Sequence, residues 1–106
     1  MMLSADVDIE EFERKAGEVA GVLRAFANQR RLMVLCKLVE LGEANVTTLA
    51  REVGLSQSAL SQHLAKMRDE GIVAFRRESQ TIWYRIADAR TEELIGTLYK
   101  LYCGPS

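Results

Sequence analysis

The chain has 106 residues, of which 48% are hydrophobic, and this predicts one globular domain over residues 1–106. No apolar run is as long as a membrane span, which needs about 18 residues. The first four residues are followed by acidic residues, whereas a signal peptide begins with basic residues. We therefore expect a cytoplasmic protein without a membrane partner. The formal charge of −1 divides into −3 over 1–27, +3 over 28–87 and −1 over 88–106, so the central segment favours a polyanionic partner.

Two helices are predicted in the first forty or so residues. Apolar residues recur at spacings of three and four from Ile9 to Phe26, which is typical of one face of a helix of roughly 18 residues. Asn28 interrupts this pattern. A second helix is predicted from Gln29 to Leu41, and Gly42 after it is a typical helix stop.

A pair of short helices follows, joined by a tight turn. Asn45 is a candidate N-cap for a helix over 46–53, and Ser56 caps the next helix, which runs to about Glu70 and ends at Gly71. Gly54 between them supplies the positive φ of the turn.

The spacing of three small or apolar residues predicts that these helices form a helix-turn-helix. Ala50 is small enough for the two helices to approach, Gly54 makes the turn, and Leu60 lies where an apolar side chain fixes the second helix onto the first.

A β-hairpin is predicted after the helix-turn-helix. The β-rich segments Ile72–Arg77 and Thr81–Ile86 flank the polar turn Glu78–Gln80. Alternation along the second strand predicts that one of Trp83 and Tyr84 packs and the other faces solvent. The elements together predict a mainly α fold with a β-hairpin wing: a winged helix-turn-helix.

A last helix is predicted over Thr91–Tyr102, ended by Gly104 and Pro105. The first and last helices carry more apolar surface than a small winged domain covers alone. We therefore expect a homodimer in which these helices pack against their symmetry mates. Such a dimer would present two reading helices to palindromic double-stranded DNA.

The candidate base-reading side chains lie on the second helix of the motif, facing away from its apolar residues: Gln57, Ser58, Ser61 and Gln62. Glutamine can bind an adenine edge with two hydrogen bonds, and serine can contact bases or phosphates. His63, near the core-facing edge, is interpreted as structural or phosphate-contacting. The alternative for the whole face is an ordinary solvated surface.

The candidate wing contacts to phosphate or the minor groove are Arg76, Arg77 and Gln80, with ordinary exposed hairpin side chains as the alternative. Arg30 and Arg31 either contact phosphates or pair with acids of the first helix. An enzyme is not expected, because the chain has no CxxC pair and no nucleophile with a base nearby. No cofactor is expected, and a protein-interaction module is the alternative to DNA binding.

Four segments resemble the ArsR/SmtB family of bacterial repressors, and the resemblance extends over nearly the whole chain: Asn28-Gln29-Arg30-Arg31-Leu32, Leu35-Cys36, residues 55–64, and residues 67–73. The resemblance implies a dimer that binds operator DNA and an inducer that weakens binding. Residues 46–49 and 91–102 lack the Cys, Asp or His ligands that metal-sensing members carry there. Metal sensing is therefore the least favoured alternative, and no metal site is expected.

The two cysteines, Cys36 in Leu35-Cys36-Lys37-Leu38 and Cys103 in Leu101-Tyr102-Cys103, look like the sensing cysteines of the BigR, SqrR and HlyU group. This resemblance implies that the reduced protein binds DNA. Reactive sulfur species would then link the two cysteines as a disulfide or polysulfide and release the DNA. The alternatives are a general oxidant-sensing or virulence-type regulator with a plain disulfide, and two buried core thiols. We expect Cys36 to be the less exposed thiol.

Overall fold

The computed structural model describes residues 7–104. The first residues of the chain and Pro105, which was expected to help end the last helix, lie outside this range. The described chain contains five helices and three short strands: α1 (Ile9–Phe26), α2 (Gln29–Leu41), β1 (Ala44–Asn45), α3 (Val46–Val53), α4 (Gln57–Asp69), β2 (Val73–Glu78), β3 (Thr81–Ile86) and α5 (Ala89–Cys103). The predicted winged helix-turn-helix is confirmed.

Every described helix begins at a polar residue whose side chain accepts a hydrogen bond from a backbone N–H of the first turn, at Asp8, Asn28, Asn45, Ser56 and Asp88. These bonds satisfy donors that the helix itself leaves unpaired. At the other end of α3, Gly54 adopts the left-handed conformation with φ of 71°, which makes the turn into α4. The cap residues therefore explain why the predicted boundaries of α2 and α3 are right.

The core lies where α2, α3, α4 and the sheet meet. Its largest fully buried aliphatic side chains come from α2, α3 and α4: Leu35, Leu38, Leu49, Leu60 and Leu64. Val73 of β2 and Ile95 of α5 complete the same cluster. Because both helices of the motif contribute to this cluster, packing fixes the orientation of α4 relative to α2 and α3.

The three strands form an antiparallel sheet in the order β1-β3-β2. The strand β1 was not predicted; Ala44 pairs with Tyr84 and Asn45 with Trp83. In the hairpin, Glu78 pairs with Thr81, so the turn contains only two residues, and Ser79 adopts a φ of 57°.

Three details of the hairpin and the last helix differ from prediction. The first hairpin strand runs from Val73 to Glu78, one residue later at each end than predicted, because Glu78 is paired across the hairpin. Trp83 and Tyr84 are both half-buried, so neither faces solvent freely. The last helix begins at Ala89, two residues before the predicted Thr91, because Asp88 caps it.

Candidate functional site

The helix α4 presents a polar face away from the core. Leu60, Leu64 and Met67 are buried beneath it. The predicted reading residues Gln57, Ser58, Ser61 and Gln62 are all exposed. The helix is thus anchored on one side and leaves small and amide side chains free on the other, as a major-groove helix requires.

His63 is held differently from these four residues. It is half-buried, and its Nδ1 accepts a hydrogen bond from Arg31 Nε of α2 at 3.3 Å. Burial, with a smaller effect of the Arg31 charge, lowers the pKa of the His63 imidazole. An arginine always donates, so the bond assigns the proton of the neutral ring to Nε2. His63 therefore ties the reading helix to α2.

For Arg31, the structure does not support pairing with an acid of α1, and a phosphate contact stays a prediction. Its side chain contacts the reading helix and makes no ion pair with an acid of α1 among the described residues. Arg30 beside it is exposed.

The hairpin arginines have different environments. Arg76 donates to both carboxylate oxygens of Glu43, at 2.7 and 3.0 Å, and its guanidinium lies 5.8 Å from the Trp83 ring centroid. The bidentate bond raises the pKa of Arg76 and lowers the pKa of the Glu43 carboxyl. Arg76 was predicted as a wing contact, but this ion pair already compensates much of its charge. Arg77 and Gln80 are exposed.

A groove of about 300 Å³ separates the start of α3 from the hairpin tip, and Asn45, Thr47 and Gln80 contribute to its walls. Thr47 is exposed, and its Oγ1 accepts a 3.5 Å hydrogen bond from Gln57 Nε2 of α4. Sequence reasoning did not identify Thr47 as a site residue. Its position in the first turn of the helix before the reading helix was the available signal.

The two cysteines belong to two helices that pack against each other, α2 and α5. Both are free thiols. Cys36 is half-buried and Cys103 is exposed, so the prediction that Cys36 is the less exposed thiol is confirmed. Burial raises the pKa of the Cys36 thiol, and the charge of Cys103 raises it further. Because α2 and α5 pack against each other, the fold places the two thiols on adjacent helices.

Lys37, next to Cys36 on α2, joins the thiol region to the DNA-reading motif. Its Nζ lies 2.8 Å from Glu40 Oε1 and 3.3 Å from Glu52 Oε1 of α3. These hydrogen bonds raise the pKa of the Lys37 ammonium group. The helix that carries Cys36 is therefore connected to both helices of the motif, by Lys37 to α3 and by Arg31 to α4.

Within residues 7–104, no three Cys, His, Asp or Glu side chains are grouped closely enough to bind a metal ion. None of the helices in the same range is long and apolar enough to cross a membrane.

Comparison with known proteins identifies relatives over most of the chain. Residues 28–74 match the family model described as bacterial regulatory protein, arsR family. The transcriptional activator HlyU of Vibrio cholerae is 40% identical over 99 residues, which cover 93% of this chain and 91% of HlyU. The biofilm growth-associated repressor of Xylella fastidiosa is 40% identical over 94 residues, covering 89% of this chain and 82% of the repressor.

Solved structures agree with these sequence matches. The transcriptional repressor BigR from Xylella fastidiosa superposes with a TM-score of 0.85 at 39% identity, covering 92% of this chain and 98% of BigR. Reduced HlyU from Vibrio cholerae gives a TM-score of 0.81 at 41% identity, covering 89% of this chain and 98% of HlyU. The chain therefore belongs to the ArsR family of bacterial regulatory proteins and is a DNA-binding winged-helix transcription regulator of the HlyU and BigR type.

Proposed function

We propose that this protein is a homodimeric transcriptional repressor controlled by its two thiols. Its paired α4 helices bind a palindromic operator while Cys36 and Cys103 are reduced. Reactive sulfur species link the two cysteines as a disulfide or polysulfide, and the dimer then releases the DNA. The observation that carries this proposal is that the two free thiols lie on α2 and α5, two helices that pack against each other.

The linking chemistry needs only a persulfide as co-reactant. Cys36 takes the outer sulfur of R–S–SH, giving Cys36–S–SH and R–SH. Attack of the Cys103 thiolate on the Cys36 sulfur then forms a disulfide and releases hydrogen sulfide. If both cysteines are first persulfidated, their combination gives a trisulfide and hydrogen sulfide. The longer bridge spans a wider gap than the 4.4–6.8 Å between Cα atoms of an ordinary disulfide.

Apolar surface on the terminal helices supports the dimer. On α5, Leu101 is 72% and Tyr102 is 84% exposed. On α1, Ile9, Phe12 and Leu23 are also exposed. Contiguous apolar surface of this kind typically marks an interface, and a two-fold dimer would bury the same residues of both subunits.

A link between Cys36 and Cys103 has a mechanical route to the reading helix. It would tie the dimer-forming α5 to α2, and Arg31 on α2 contacts His63 on α4. A change in the angle between α5 and α2 would therefore move one α4 helix relative to its symmetry mate. Allosteric coupling is typically about 1–3 kcal/mol, which corresponds to a roughly 5- to 150-fold loss of affinity.

The proposal assigns the protein to a reducing compartment, the cytoplasm, where free thiols persist. The second candidate is a general oxidant-sensing or virulence-type regulator, in which a peroxide links the same thiols as a plain disulfide. The position of the two thiols on packed helices supports this candidate equally. The relatives include one named as an activator and one named as a repressor. That this protein represses transcription, and does not activate it, is therefore part of the proposal.

Fluorescence anisotropy on the promoter upstream of the protein's own gene tests both candidates. Reduced protein is compared with protein treated with an organic persulfide or with hydrogen peroxide, in the wild type, Cys36→Ser and Cys103→Ser. Release by persulfide alone, abolished in both variants, supports the sulfur-specific switch. Equal release by peroxide supports the general oxidant sensor. Tight binding under every treatment would contradict both and leave the cysteines as structural thiols.

A further inference from the structure

A cavity of about 440 Å³ lies between α2 and α5 beside the less exposed thiol. Cys36, Val39 and Glu40 form the α2 wall, and Ile95, Gly96 and Tyr99 form the α5 wall. Any molecule that occupies this cavity contacts Cys36 and the helix that carries Cys103. The cavity is therefore placed to hold the reagent that modifies Cys36.

Gly96 keeps one wall of this cavity open. It lies in the middle of α5, where glycine is less favourable than alanine by roughly 0.5–1 kcal/mol. A Cβ atom at this position would meet no heavy atom within 4 Å, so close packing does not require glycine. Neither the backbone conformation nor a neighbouring atom requires glycine at position 96. The consequence of having glycine there is that the space opposite α2 stays unfilled.

The chemistry of the walls favours an uncharged occupant. Val39, Ile95 and Tyr99 are apolar or aromatic, and the six lining residues include one carboxylate and no Lys or Arg. That carboxylate, on Glu40, is paired with Lys37 at 2.8 Å. An anionic group entering the cavity would meet no cation in the walls and would lose its hydration. An apolar cavity of about 150 Å³ can hold a benzene ring, so this volume is sufficient for one.

We propose that the cavity binds the uncharged organic group of an apolar persulfide and that Gly96 sets the size of the group admitted. This inference rests on the proposed function, because it names the class of sulfur donor that reaches Cys36. The Cys36 thiolate attacks the outer sulfur of R–S–SH, and the S–S bond of the donor breaks. R–S⁻ leaves and takes a proton from water, while Cys36 becomes Cys36–S–SH.

The test measures the rate of persulfide formation at Cys36 in the full chain carrying Cys103→Ser, so that the product persists. Benzyl persulfide is compared with glutathione persulfide, and each rate is divided by the rate of the same donor with N-acetylcysteine. Gain of one sulfur atom is followed by intact-protein mass spectrometry. The matched variants are Gly96→Leu, which fills the cavity, and Thr97→Leu, which adds the same side chain at an exposed neighbouring position.

We expect normalised rates to favour benzyl persulfide by about tenfold, the ratio expected for removing an aromatic ring from water. Gly96→Leu should abolish this preference, and Thr97→Leu should retain it. If Gly96→Leu does not fold, Gly96→Ala should lower the preference partially. Equal normalised rates for the two donors in the wild type would overturn the inference. The same ratio of benzyl to glutathione persulfide rates in Gly96→Leu and Thr97→Leu would overturn it too. Because the readout involves no DNA, failure here differs from failure of operator release.

Discussion

The DNA-reading centre of the molecule and its terminal helices are built in different ways. The centre, from α2 to β3, contains the largest fully buried aliphatic side chains, although Leu41 remains 45% exposed. The family model matches residues 28–74. The terminal helices α1 and α5 leave large apolar side chains exposed, among them Phe12, Leu101 and Tyr102. The centre thus packs most of its apolar side chains within one subunit, whereas those of the terminal helices would be covered by the proposed dimer.

In the proposed function, the same contrast separates DNA reading from control. The exposed polar face of α4 belongs to the centre, whereas Cys103 belongs to α5, which packs against the Cys36-bearing helix α2 at the boundary between the two parts. A change at this boundary can alter how two rigid reading units are held without altering either unit. This arrangement suits a regulator in which modification changes the spacing of the two reading helices.

The largest expected effect comes from truncating the core of the centre. Leu64→Ala removes a fully buried side chain and should lower the free energy of unfolding by about 2–5 kcal/mol. Leu101→Ala, the same change on exposed α5, should alter the unfolding of the dissociated subunit by less than about 0.5 kcal/mol. Urea unfolding at low protein concentration measures both, and equal losses would contradict the contrast between the two regions.

The next effect concerns association of the terminal helices. Phe12→Glu places a charge in the apolar face of α1 and should raise the dimer dissociation constant roughly 10- to 150-fold, the worth of burying one large side chain. Arg14→Glu introduces the same side chain two positions along, on the opposite side of the helix. Sedimentation velocity compares the two variants. A dimer weakened equally by both would show that α1 acts through charge and not through its apolar face.

The hairpin arginines should contribute unequally to DNA binding. Arg77→Ala removes an exposed charge and should lower the slope of log K against log salt by about 0.9 for each phosphate that the side chain neutralises. Arg76→Ala should change the slope less, because Glu43 already pairs with Arg76 at 2.7 Å. Anisotropy over a series of salt concentrations measures both slopes. A larger change for Arg76→Ala would place the phosphate contact on the ion-paired residue.

The smallest effect is a pH dependence of stability from His63. Its pKa is lowered in the folded protein, so protonation favours the unfolded chain. The free energy of unfolding should be constant above pH about 6.5, the ordinary histidine pKa, decrease as the pH falls below this value, and level off below the lower folded pKa. The loss corresponds to about 1.4 kcal/mol for each pH unit that separates the folded from the unfolded pKa of His63.

His63→Gln provides the control for this dependence, because glutamine can still accept the hydrogen bond from Arg31 but does not titrate in this range. Urea unfolding of wild type and variant between pH 5 and 8 makes the comparison. An unchanged pH profile in the variant would assign the dependence to other groups.

Local signals predicted most of the helical fold. Asn45, Gly54 and Ser56 determine helix ends by short-range hydrogen bonds and backbone conformation, so their roles follow from neighbouring residues. The strand β1 could not be predicted in this way, because Ala44 is a strand residue only through pairing with Tyr84 forty positions away. Asp88 was a missed local signal, since it carries the same N-cap chemistry as the other helix starts.

The candidate site was predicted in part. Exposure of the polar α4 face follows from helical periodicity, and the structure agrees. The ion pair of Arg76 with Glu43 and the bond of Arg31 to His63 join residues more than 30 positions apart, so no local pattern contains them. The pairing of Cys36 with Cys103 came from family resemblance, and the packing of α5 against α2 is consistent with it.

The most direct test of the central claim compares one preparation in two covalent states. Protein in which mass spectrometry shows an intramolecular Cys36–Cys103 bridge is titrated with operator DNA, reduced, and titrated again. We predict that the bridged dimer binds about 5- to 150-fold more weakly and that reduction restores full affinity. Equal dissociation constants before and after reduction would contradict the claim that the link between α2 and α5 controls DNA binding.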